Sequence, residues 1–75
     1  MSYESQIFCE NLKQLRKRES LTKVVMAKKL GIGVQTLTKI ENGIIPPLLS
    51  TEILYQIHHH FGIMPTEMFT PSFIR

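Results

Sequence analysis

Apolar residues recur along this chain at intervals of three and four, and glycines, prolines and short polar pairs interrupt the rhythm. Ile7, Phe8, Leu12 and Leu15 share one face of a helix that the spacing predicts from about Glu4 to Arg18. Glu19-Ser20 breaks that pattern, Leu21 is expected to turn inward, and Thr22 offers a side-chain cap to a second helix over 23–30. Val25, Met26 and Leu30, then Ile32, and then Leu37 and Ile40 from a third helix over 34–41, are spaced so that the two helices share one core. Asn42-Gly43 stops the third helix. Neither proline of Ile44-Ile45-Pro46-Pro47 continues one, so an extended loop follows. Ser50 is the expected cap of a fourth helix, with Glu52 near its positive end and Ile53, Leu54, Ile57 and Phe61 on its core face before Gly62. Pro65-Thr66-Glu67-Met68-Phe69 predicts a short fifth helix with proline in its first turn, ended by Pro71. With no strand pattern, repeat or linker, residues 1–75 read as a single all-α domain of five helices.

Composition narrows the setting. At 75 residues the chain lies near the lower limit for folding without staples, and 43% hydrophobic residues suffice for a helical core. The lone Cys9 has no partner for an internal disulfide and is expected to be a partly buried, chemically idle helix residue. No apolar run approaches the length of a membrane span and MSYESQ lacks a secretory pattern, so a cytoplasmic protein is expected. The net charge of +3 is unevenly placed. Residues 13–39 carry Lys13, Arg16, Lys17, Arg18, Lys23, Lys28, Lys29 and Lys39 against Glu19 alone, whereas the flanking segments are acidic. Such an asymmetry suits a polyanion, although a solvated helix face is the common alternative for any lysine cluster.

The segment from Thr22 to Gly43 concentrates the chemistry. Two short helices meet at Gly31, where the chain reverses and a positive φ is favoured. Val34, Gln35, Thr36, Thr38 and Lys39 have least reason to point inward, and a short helix displayed in this way has the shape that enters a DNA major groove. Gln35 is able to pair bidentately with adenine, Lys39 to reach guanine acceptors, and Val34 to meet a thymine methyl. The first-turn N–H groups of both helices suit phosphate oxygens, where Lys23 adds charge. Other chemistry is not encoded. Consecutive His58, His59 and His60 project about 100° apart on a helix and do not converge on one metal ion; a solvated helix edge with His60 half-buried is expected instead. Ser20, Ser50 and Thr51 lack a triad and the glutamates form no acid–base pair, so neither catalysis nor a cofactor is expected.

Leu15-Arg16, Thr22, Ala27, Gly31, Leu37 and Glu41-Asn42-Gly43, followed by Pro47 and Phe61-Gly62-Ile63, resemble the phage repressor and Cro family of helix-turn-helix domains, the XRE-like group. The likeness spans about residues 12 to 69 and implies a lambda-repressor-like fold with helix-turn-helix motif 22–43. It implies base-edge contacts from Val34, Gln35 and Lys39, and backbone contacts from Thr22, Lys23, Gly33, Thr36, Thr38 and Asn42. It also implies an ion pair, Arg16 with Glu41, bridging the first helix to the end of the third. The chain departs from the pattern at Gly33, where a Ser or Thr cap is usual, and at Ile44-Ile45-Pro46, where Lys or Arg is common. The loop from Pro47 to the fourth helix is also about two residues longer than usual.

Met64, Met68, Phe69, Phe73 and Ile74 exceed what so small a core needs, Met68 being the one expected to pack inside. Segment 63–75 is therefore expected to join two copies into a homodimer. The leading expectation is a sequence-specific regulator of double-stranded DNA, a repressor without metal or membrane partner. The alternatives are an antitoxin and a protein-binding adaptor that keeps the fold, the latter favoured by Gly33, Val34 and the apolar Ile44-Ile45 loop; in the leading reading those isoleucines are expected to contact a second subunit.

Overall fold

The computed structural model describes residues 3–45 and 51–74, and all its regular structure there is helical. The helices are α1 (Tyr3–Arg18), α2 (Lys23–Leu30), α3 (Val34–Glu41), α4 (Thr51–Phe61) and α5 (Pro65–Met68). Ser50 as a cap, Pro46-Pro47 as extended chain, and the length of that loop lie outside the described residues.

One device closes each of the first three helices. One or two residues past the end, the chain takes a left-handed conformation at Ser20 (φ 55°), Gly31 (φ 72°) and Gly43 (φ 88°). The next N–H then reaches back five residues, from Leu21 to the Arg16 carbonyl at 3.1 Å, Ile32 to Ala27 at 3.0 Å, and Ile44 to Lys39 at 2.8 Å. These bonds satisfy carbonyls that the helix leaves without partners, and Leu21 and Ile32 fold back onto the core, as this ending favours. The connections stay short, which keeps α2 and α3 packed on one another.

Phe8, Leu12 and Leu15 of α1, Met26, Ala27 and Leu30 of α2, Leu37 and Ile40 of α3, and Ile53 and Ile57 of α4 form the buried cluster, completed by Ile63, Met68 and Ile74. Helix α1 packs on α3 and α5, α2 on α3 and α4, and α4 on α5. Cys9 is buried among these residues, and loss of solvation raises its thiol pKa above the ordinary value, keeping it protonated and unreactive.

Asn11, which hydropathy alone does not single out, anchors the C-terminal segment. Its side-chain amide is buried on the core face of α1 and donates to the carbonyls of Met68 at 2.8 Å and Thr70 at 2.9 Å. Both donor hydrogens are thereby used, and burial of the amide carries little desolvation penalty.

The structure corrects several core assignments. Val25 is 41% exposed. Val24, Val25 and Met26 are adjacent, and only the register of Met26, Ala27 and Leu30 faces α3 and α4, so Val25 is turned out. Ile7 is half-buried, and His60 is exposed like His58 and His59. Met68 is 0% exposed and packs inside as expected, whereas Ile74, counted with the intermolecular surface, is 3% exposed within the single chain. Phe69 is half-buried and stacks on Phe8 at a centroid separation of 5.3 Å. A chain this small closes its core with its own tail.

Candidate nucleic-acid interface

Helix α3 is held from behind and open in front. Leu37 and Ile40 are fully buried, whereas Val34, Gln35 and Lys39 are exposed, with Thr36 and Thr38 half-buried on the flanks. One turn separates Gln35 from Lys39, so an amide and an ammonium project from neighbouring positions of the outer face. The Thr38 hydroxyl donates back to the Val34 carbonyl at 2.9 Å, which leaves its oxygen able to accept a further bond. Asn42 is exposed at the end of the helix.

Helix α2 begins at a side-chain cap, the Thr22 hydroxyl accepting the Val25 N–H at 3.2 Å, and Lys23 follows half-buried in the first turn. Helix α3 begins at Gly33, which has no side chain to offer its first-turn N–H groups. Gly33 adopts φ −76° and ψ 157°, conformations open to any residue, and a Cβ there meets nothing within 4 Å. A serine at this position therefore gains a cap without strain. Gly33→Ser is expected to raise stability by a few tenths of a kcal/mol, read as the shift in thermal midpoint, and a lowered midpoint contradicts this account of the helix end.

The back of the motif is fastened by charge. Arg16 donates from Nε to Glu41 Oε2 at 2.7 Å and from Nη2 to Glu41 Oε1 at 3.0 Å, and its Nη1 donates to the Leu21 carbonyl at 3.1 Å. The paired hydrogen bonds that Arg16 donates to Glu41 raise the Arg16 pKa further, so the guanidinium stays charged at every accessible pH. The Arg16 side chain retains 16% of its exposure and that of Glu41 only 4%. This fork ties the last turn of α1 to the last turn of α3, fixing how far α3 protrudes.

Residues 12–68 match the model of the helix-turn-helix family, Cro/C1 type and XRE-like. The chain belongs to that family. It is a DNA-binding helix-turn-helix regulator, of a family that is regulatory and not typically enzymatic. No individual curated protein and no solved structure matches the chain significantly. The match covers Arg16, Thr22, Gly31 and Glu41 along with the whole of α2 and α3, the elements just described. Among the described residues, no helix is long and apolar enough to cross a membrane, and no group of three or more His, Cys, Asp or Glu is placed to hold a metal ion.

Proposed function

We propose that the protein is a sequence-specific repressor that acts in the cytoplasm as a homodimer and occludes a promoter. The observation that carries this reading is the outward face of α3, where Val34, Gln35 and Lys39 are exposed over the buried pair Leu37 and Ile40. In this reading Gln35 and Lys39 meet base edges and Val34 meets a thymine methyl. Lys23 and the N-terminal turns of α2 and α3 hold phosphates, assisted by Thr22, Gly33, Thr36, Thr38 and Asn42.

A second copy joins through the C-terminal surface. With Met68 and Ile74 committed to the core, Met64 at 51% and Phe73 at 40% exposure are the apolar side chains left for that contact. Ile45 packs on the chain's own core, while Ile44 stays exposed. Two copies related by a dyad would read half-sites about 34 Å apart.

Binding-site selection with the purified protein tests the reading. A symmetric consensus with half-sites one helical turn apart is expected, and recovery of unrelated sequences contradicts it. Lys23→Ala is expected to weaken selected and random duplexes alike and to flatten the slope of log affinity against log salt by about one unit. An unchanged slope removes Lys23 from the phosphate contact. Sedimentation that finds monomer alone at high micromolar concentration, without DNA, contradicts the dimer.

A further inference from the structure

The outer face of α2 carries two side chains to which the proposed DNA contacts, made there by Lys23 and backbone N–H groups, give no role. Val24 is 64% exposed and Val25 41% exposed, side by side on a helix whose other apolar residues, Met26, Ala27 and Leu30, are buried. β-Branched residues on the solvent side of a short helix add nothing to its stability, since they lose rotamer freedom without burying area. The two valines line a surface groove of about 590 Å³ together with Lys28 and Lys29 of the same helix and His60 of α4. No carboxylate lines it, and neither do Thr22, Lys23 or any residue of α3.

We propose that this groove receives an acidic, amphipathic segment of a partner protein, its apolar side chains against Val24 and Val25 and its carboxylates on Lys28 and Lys29. Charge complementarity selects the occupant. Two ammonium groups and an imidazole border the apolar floor with no anion of the chain's own among them, so a neutral or basic segment leaves that charge uncompensated. A nucleic-acid backbone fits less well, because the two valines in its lining offer no side-chain donor to phosphate oxygens. The arrangement gives the regulator a protein contact on a face distinct from its reading helix, open to a partner while DNA is bound.

The test uses the full chain and a fluorescein-labelled synthetic peptide of glutamate and alanine, with two leucines one helical turn apart. Fluorescence anisotropy is expected to show binding that Val24→Ser weakens about tenfold, the loss that follows from removing one buried valine contact. Lys28→Glu is expected to weaken it at least as much. Both positions are exposed, and an unchanged thermal midpoint confirms that the variants fold. Random-duplex affinity of Val24→Ser is expected to equal that of the parent chain. The proposal is overturned by no peptide binding at about 1 mM, by equal binding of a peptide with serine in place of both leucines, or by Val24→Ser binding the peptide as the parent does. It is overturned equally by loss of duplex affinity in Val24→Ser, which assigns the groove to DNA and leaves the role of α3 to its own variants.

Discussion

Glu41→Gln is expected to lower stability by about 2–4 kcal/mol, whereas Glu52→Gln stays within about 0.5 kcal/mol. The two exchanges are chemically identical, so the difference comes from surroundings. Glu41 is almost fully buried and accepts two hydrogen bonds from one guanidinium, at 2.7 and 3.0 Å. Glutamine keeps one acceptor, turns a donor toward Arg16 and leaves the positive charge without its counterion. The range is set below that of a fully buried pair because Arg16 retains some contact with water. Glu52 is exposed and accepts from Gln56 at 2.8 Å, a bond that water replaces readily. In a chain of this size, each kilocalorie shifts the thermal midpoint by about 4–8 °C, so a melt followed by circular dichroism separates the variants clearly. Equal midpoints contradict the account of the Arg16–Glu41 fork. The consequence reaches past stability, since a loosened fork also loosens the end of α3.

The second large effect falls on recognition. Gln35→Ala and Lys39→Ala are each expected to cost about 1–3 kcal/mol of discrimination between the selected operator and random duplex, the value of one good base contact. Both side chains are exposed and neither makes a contact that the fold needs, so the thermal midpoint is expected to hold. Affinity for random duplex should change little in Gln35→Ala, because a neutral amide contributes nothing to counterion release. Lys39→Ala removes a charge and is expected to lower both affinities, the operator more. Titrations of each variant against both duplexes at two salt concentrations check this. Operator preference retained by Gln35→Ala contradicts the assignment of α3 as the reading helix.

The limits of α2 and α3 were legible because caps and stops lie in single residues. Thr22, Gly31 and Asn42-Gly43 act through local backbone geometry, and the helices run over 23–30 and 34–41 as their spacing predicts. The Arg16–Glu41 pair was legible through the resemblance to a family motif. What hydropathy did not resolve was rotation about an axis. In Val24-Val25-Met26 every position is apolar, and the packing partners decide which one is buried. The same limit explains Ile74, whose burial depends on the tail folding against α1. Asn11 held the signal for that, a polar residue spaced three from Phe8 and four from Leu15 on the apolar face of α1. A polar residue in such a register needs buried partners, and the carbonyls of Met68 and Thr70 are those partners.

Titration of nitrogen-15-labelled protein with duplex DNA, followed residue by residue through its backbone amide resonances, tests the central claim most directly. Shifts concentrated at Thr22 and Lys23 and along Gly33 to Lys39, fading as salt is raised, are the predicted result. Perturbation confined to α4 and the C-terminal segment, with the amides of α3 unmoved at saturating DNA, would contradict it.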